Sequence, residues 1–261
     1  MSTFSLKLLA ILAMTVDHFA AIVGQYGLLI LFPSASRTVT SWAIQIMRAI
    51  GRIAFPLFAF QIAEGARKTR SMPRYIGRLE LFAVISEPFF YFAFSVMPPS
   101  IAGLLSDLSR LNLTNVFFTL ALGAIAIYGY QYMEKKAPKR KLLLFLPFFL
   151  LCLFVAAYIG SDYSYNGVLL IVALYLAKSR KQQAAAILLW SVYLYILMQG
   201  IGNWSQVWTG PILNCLCAAS TGLLIQRYNG KRGKPSKWFF YLYYPAHLLI
   251  LTILDSFIKN A

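Results

Sequence analysis

Two residues able to do proton chemistry stand side by side in the run Leu6 to Phe32, LKLLAILAMTVDHFAAIVGQYGLLILF: Asp17 and His18. The rest of the run is almost wholly apolar. It is long enough to cross a bilayer, which takes about 20 residues in a helix. A carboxylate at bilayer depth is costly unless it faces a protein interior or a wet cavity. An imidazole is the side chain best suited to accept a proton near neutral pH. His18 is therefore expected to be a general base inside the membrane. Residues i and i+1 do not face each other on a helix. Asp17 is thus not bound to orient His18, and Arg52 or a further span is an alternative partner for it.

Other charges sit at similar depth. At about 1.5 Å per residue, His18 lies about 18 Å into its span. Arg52 is near the middle of the second span, with Arg48 one turn away on the same face. Glu87 is roughly 12 Å into the third span, and His247 about 14 Å into the ninth. These groups are expected to share one cavity near the midplane. Each also has a plain structural reading. Asp17 and Arg52 form an ion pair, Glu87 pairs with Arg48 or Arg78, His247 is a hydrogen-bonded core histidine, and Tyr241, Tyr243 and Tyr244 pack.

The elements that must position these residues follow from composition. Of 261 residues, 59% are hydrophobic and 12% charged, which fits a polytopic membrane protein and leaves no charged segment long enough for a separate soluble domain. The expected architecture is an all-α bundle of about nine transmembrane helices, read as a single domain over 1–261. The spans run from about Leu6 to Phe32, Val39 to Glu64, the region of Arg78 to Met97, Asn112 to Met133, Leu142 to Gly160, the turn SDYSYNG to Ala177, Lys181 to Gly200, Thr209 to Gln226, and Trp238 to Ile258. Trp204 and Trp208 suit an interface belt. The net charge of +16 would suggest nucleic acid in a soluble protein. Here the basic residues fall in alternate short loops, so topology explains them and no nucleic-acid partner is expected. By the positive-inside rule the N-terminus is cytoplasmic. The first run lacks a cleavable signal pattern. Cys152, Cys215 and Cys217 lie in apolar runs and are expected to pack. Two histidines and scattered carboxylates lack metal-ligand spacing.

Several stretches together resemble the TraX family of bacterial inner-membrane proteins associated with conjugation. They are LKLLAILAMTVDH (Leu6 to His18), GRIAFPLFAFQIAEG (Gly51 to Gly65), AVISEP (Ala83 to Pro88), NVFFTLALG (Asn115 to Gly123), YNGVLLI (Tyr165 to Ile171), YNGKRG (Tyr228 to Gly233) and FYLYYPAHLLIL (Phe240 to Leu251). They span nearly the whole chain. The chain also looks like a short member of the wider transmembrane acyltransferase superfamily, which includes polysaccharide O-acetyltransferases and the lysosomal heparan N-acetyltransferase. The O-acetyltransferases carry an Arg, ten residues and a His in their first span. Lys7 and His18 have that spacing, with Lys in place of the planar guanidinium.

The resemblance implies a bacterial inner-membrane acetyltransferase that uses acetyl-CoA as acyl donor. For TraX proteins the implied acceptor is the N-terminal amine of pilin. His18, Asp17 and Arg52 become the catalytic candidates. Glu87, Tyr243, His247 and Asn115 become candidates for substrate or oxyanion contact. Lys7, Arg70, Arg74, Asn229, Lys231 and Arg232 are candidates for the phosphates of acetyl-CoA, with Gly230 and Gly233 letting the YNGKRG backbone come close. His18 would deprotonate an amine or hydroxyl as it attacks the thioester, and a route through acetyl-His18 stays open. Two other classes also stay open: a transporter or flippase with an Asp17–Arg52–Glu87 path, and a non-catalytic docking subunit. A homo-oligomer is compatible with each.

Overall fold

Polar residues set the helix boundaries in this computed structural model, which describes residues 1–33, 36–95, 99–198, 210–234 and 237–260. Ser2 caps α1 (Thr3–Ile22), its hydroxyl accepting from the Ser5 amide at 3.2 Å. The helix stops at Val23, and α2 (Gly24–Leu31) follows at once. The expected first span is thus two helices. Ser36 caps α3 (Arg37–Gly51), accepting from Val39 at 3.3 Å. A turn at Arg52 and Ile53 leads into α4 (Ala54–Lys68). The second expected span is therefore also broken, at Arg52 and Ile53. Pro56 sits in the first turn of α4, where an amide has no helical partner to lose.

Ser71 caps α5 (Met72–Phe94), with Pro73 in its first turn. The stretch between the third and fourth expected spans holds α6 (Ile101–Ser109), capped by Ser100. Asn115 caps α7 (Val116–Lys136) by accepting from Phe117 at 3.0 Å. A short 3-10 turn precedes α8 (Lys141–Tyr158), and α9 is Ser164–Leu176. Ser179 and Gln182 form a reciprocal capping box at α10 (Arg180–Ser191). A π-helical turn, Val192–Met198, continues it. Trp204 and Trp208 lie outside the described residues. The chain ends in α11 (Gly210–Gln226) and α12 (Lys237–Asn260).

The described residues are helical and contain no strand. Among the described residues, five segments are long and apolar enough to cross a membrane: Thr3–Ile22, Arg37–Lys68, Val116–Lys136, Pro138–Tyr158 and Trp238–Asn260. The helices α9 and α11 are apolar but shorter.

The chain divides into two compact units, with the boundary inside α4. The first comprises Met1–Phe58 and Ser179–Ala261. In it α1 packs on α3 and α12, and α11 packs on α3 and α10. The second unit is Ala59–Lys178. There α7 is central and packs on α5, α8 and α9. Its small residues Ala121, Ala124 and Ala126 are buried, which lets helices approach closely without a hydrophobic drive in lipid. Arg67 closes this unit's far end, pairing with Glu64 at 2.8 Å and donating to the carbonyls of Leu174, Tyr175 and Ala177 at the C-terminal end of α9. The outer side of α8 is a sheet of exposed Leu142, Leu143, Leu146, Leu150, Leu151 and Phe154, as a lipid-facing helix requires.

Candidate functional site

The inward stripe of α1 begins with Leu6, Ala10, Ala13 and Met14, all buried. Helical spacing carries the stripe to Asp17. There the stripe meets α3. Asp17 Oδ2 accepts from Arg48 Nη1 at 2.8 Å, and Oδ1 from Arg52 Nη2 at 2.9 Å. Arg48 and Arg52 are one turn apart, so both guanidiniums reach the same carboxylate. Arg52 is also held by its own helix, Nε donating to the Arg48 carbonyl at 3.0 Å. Gly51 lies directly against the Asp17 side chain, and a Cβ there would overlap it. The Asp17–Arg52 pair read from depth is present, and Arg48 joins it. Two cations share one anion, so the group keeps one net positive charge. Arg48 is the more open of the two, its side chain 37% exposed against 17% for Arg52.

His18 is the next residue on α1 and faces another helix, α12. Its Nδ1 lies 2.7 Å from Nε2 of His247. The rings are nearly parallel, 9° apart, with centroids at 5.0 Å. His247 is 5% exposed. Its Nδ1 is 2.9 Å from the carbonyl oxygen of Tyr243, one turn earlier on α12. The Tyr243 ring stacks on His247 at 5.2 Å, and Tyr244 meets it edge-on at 5.4 Å. Asp17 and His18 thus address different helices, as their adjacency in a helix requires.

Tyr243 is further committed through its hydroxyl, 2.7 Å from Thr15 Oγ1. Thr15 gives its one hydroxyl proton to the Ile11 carbonyl at 2.7 Å. Tyr243 is therefore the donor to Thr15, and its proton is used in holding α12 against α1. Tyr243, a candidate for substrate or oxyanion contact, thus has its hydroxyl bonded to Thr15 in this structure. Thr15 and Gly51 went unrecognised from sequence. The first was visible only as a hydroxyl one turn before His18, and the second had no signal beyond standing next to Arg52.

Glu87 and Asn115 belong to the second unit. Glu87 Oε1 accepts from the Thr114 amide at 2.8 Å and hydroxyl at 3.0 Å. Its Oε2 accepts from the Asn115 amide at 3.1 Å and side-chain Nδ2 at 2.5 Å. Asn115 Nδ2 also donates to the Ala83 carbonyl at 2.8 Å. The carboxylate is filled from within its own unit and ties α5 to the start of α7. Among the described residues of this unit, the expected pairing of Glu87 with Arg78 is not formed.

The residues expected to meet acetyl-CoA fall into two groups. Arg70 and Arg74 are exposed residues of the second unit, before and within the first turn of α5. In the first unit, Lys7 places its ammonium over the Phe240 ring at 5.1 Å. Lys231 and Arg232 carry exposed side chains, but their backbone is occupied. Their carbonyls accept from the amides of Thr3 at 2.9 Å and Phe4 at 3.1 Å, two of the unpaired donors at the start of α1. The Asn229 amide donates to the Met1 carbonyl at 2.9 Å. Asn229 Oδ1 accepts from the Lys231 amide at 3.0 Å, shaping the turn. Gly233 has φ of +75°, and a Cβ there would come within 2.6 Å of Ser2 Oγ. The space that Gly233 leaves is thus filled by α1, which corrects the expectation that it admits a phosphate to the backbone. The exposed side chains of Arg227, Lys231 and Arg232 at this end still suit a polyanion in charge.

A family model described as TraX protein matches residues 2–255. The chain is also similar to a protein of Dichelobacter nodosus named "Probable fimbrial assembly protein FimC, serogroup H1", at 29% identity over 99% of this chain and 97% of that relative. No solved structure matches. The family match takes in both units, the Asp17–Arg48–Arg52 group and the paired histidines, and on that extent the chain belongs to the TraX family.

Proposed function

We propose that this chain is an integral-membrane acetyltransferase. It moves an acetyl group from cytosolic acetyl-CoA to an amine or hydroxyl acceptor, and the N-terminus of a pilin or other peptide is the acceptor to test first. It crosses the bacterial inner membrane in about nine passes with its N-terminus in the cytoplasm. The observation that carries the reading is the His18–His247 contact, a pair of imidazoles between two apolar helices beside a cationic Arg–Asp–Arg group. Polar groups at that depth are costly to keep without a use. The name of the Dichelobacter relative supports an acceptor connected with fimbriae.

In this reading His18 takes the proton of the acceptor as the nitrogen or oxygen attacks the thioester carbonyl. The C–S bond breaks as the new N–C or O–C bond forms, and His18 returns the proton to the departing thiolate. A guanidinium balances the charge that develops on the carbonyl oxygen. Arg48 fits that part better than Arg52, because it is more exposed and its hydrogen bonds to Asp17 leave through Nη1 alone. Exposed Lys231 and Arg232 supply charge for the donor's phosphates. The rival transport path needs Glu87 as a mobile carboxylate, and the four hydrogen bonds from Thr114 and Asn115 weigh against it.

The test uses purified protein in lipid nanodiscs with radiolabelled acetyl-CoA and a peptide carrying a free N-terminus. Acetyl-CoA binding is measured alongside. Wild type is expected to label the peptide, and His18→Ala to bind acetyl-CoA without labelling it. A well-folded wild type that fails to bind acetyl-CoA overturns the reading.

A further inference from the structure

We infer that His247 is a positioning residue that fixes the tautomer of His18, so that Nε2 of His18 is the basic nitrogen. This deepens the acetyltransferase reading and rests on it for its catalytic meaning, but the proton placement follows from geometry alone.

A carbonyl oxygen only accepts. Nδ1 of His247, 2.9 Å from the Tyr243 carbonyl, therefore carries a proton. In the neutral ring Nε2 of His247 then carries a lone pair. That lone pair lies 2.7 Å from Nδ1 of His18, so Nδ1 of His18 is the donor. The remaining nitrogen of His18, Nε2, is left as the base. The chain of hydrogen bonds runs in one direction: His18 Nδ1–H to His247 Nε2, and His247 Nδ1–H to the Tyr243 carbonyl.

The surroundings of His247 hold this direction in place. Tyr243 stacks on one side of the ring and Tyr244 stands edge-on to it. The Tyr243 hydroxyl, through Thr15, pins that turn of α12 to α1 one turn before His18. The acceptor carbonyl and the His18 backbone are thus joined by a second, independent contact between the same two helices. When His18 takes a proton on Nε2, its Nδ1–H faces a lone pair and not another donor. The imidazolium keeps a hydrogen-bond acceptor at Nδ1 without a carboxylate. An orienting carboxylate does the same work in hydrolytic triads, where removing its charge leaves the wrong tautomer and lowers turnover by about 10⁴. Here Asp17 is turned away to Arg48 and Arg52, and a second histidine takes that place.

The chain contains only two histidines, which makes the inference directly measurable. Protein labelled with ring-¹⁵N histidine in nanodiscs shows two imidazoles, assigned by loss of one set in His18→Ala. Near neutral pH both rings are expected as the Nδ1–H tautomer, with a coupling across the hydrogen bond between His18 Nδ1 and His247 Nε2. An Nε2–H tautomer at His18, or no coupling, overturns the inference whatever the enzyme does. His247→Phe is expected to mix the His18 tautomers and lower kcat by about 10²- to 10⁴-fold, with the KM for acetyl-CoA little changed. His247→Gln, whose amide oxygen accepts from Nδ1–H, is expected to recover part of that loss. Wild-type turnover by a folded His247→Phe protein overturns the positioning role. Correct tautomers in a wild type that never transfers acetyl groups would instead sink the acetyltransferase reading and leave the hydrogen-bond assignment standing.

Discussion

Gly51 ends α3 where the Asp17 side chain of α1 would meet any Cβ. The close approach sets the two guanidiniums of the same helix, Arg48 and Arg52, on either oxygen of one carboxylate. Replacement of Gly51 by Ala is expected to push the helices apart, at a cost of about 1–3 kcal/mol. Gly77 is the control, because nothing lies within 4 Å of an added Cβ. Gly77→Ala should leave stability equal or slightly raised. Melting temperatures of the two variants in the same detergent check this.

Asp17→Asn removes the one negative charge between two arginines. The structure then holds two unbalanced cations, and breaking such a buried pair costs about 3–5 kcal/mol. Arg52→Met is expected to destabilise more than Arg48→Met, since Arg52 is the less exposed and is tied to its own helix. Arg48→Met is expected to lower kcat more than stability. Comparing denaturation midpoints with acetyl-transfer rates separates the two arginines. A wild-type rate in Arg48→Met would remove it from the chemistry.

Tyr243→Phe deletes the hydroxyl that donates to Thr15 and keeps the backbone carbonyl that holds His247. The expected loss is about 1 kcal/mol of stability, with turnover reduced less than tenfold. A loss of a hundredfold or more at unchanged stability would show the hydroxyl acting on substrate.

Glu87→Gln puts an amide where the carboxylate accepts four hydrogen bonds. One of its ends then faces donors with a donor. The variant is expected to lose about 1–3 kcal/mol and to keep its kcat per folded molecule. Thermal unfolding followed by activity at a temperature well below the midpoint tests both halves.

The loop before α12 separates folding from anion binding in the same way. Gly233→Val places a branched side chain against Ser2 and Phe4 at a left-handed φ and is expected to destabilise. Lys231→Ala and Arg232→Ala remove exposed side chains whose backbone bonds to Thr3 and Phe4 survive. They are expected to raise the KM for acetyl-CoA without lowering the melting temperature.

Hydropathy made the apolar helices legible, and depth along them singled out Asp17, His18, Arg52 and His247. The Asp17–Arg52 pair follows from depth, and the divergence of Asp17 from His18 from helical spacing. Glu87 shows where depth runs out. Its height in α5 says nothing of its neighbours around the helix, and Thr114 and Asn115 come from a cap formed elsewhere in the chain. The break at Val23 has no local signal, since Val and Gly there continue an apolar run. The turn at Arg52 and Ile53 likewise falls inside a run that reads in sequence as one span. The glycines of YNGKRG lie in a loop with positive φ, but sequence does not show what fills the space they leave.

His18 and His247 are 229 positions apart. A ribosome delivering this chain makes the first imidazole early and the second only when α12 is synthesised. Until then α1 presents a lone histidine with no tautomer imposed on it. On the proposed reading, a product lacking α12 would carry His18 without its positioning partner and turn over far more slowly. On the proposed acetyltransferase reading, full activity would wait on this late step of the chain's own biogenesis.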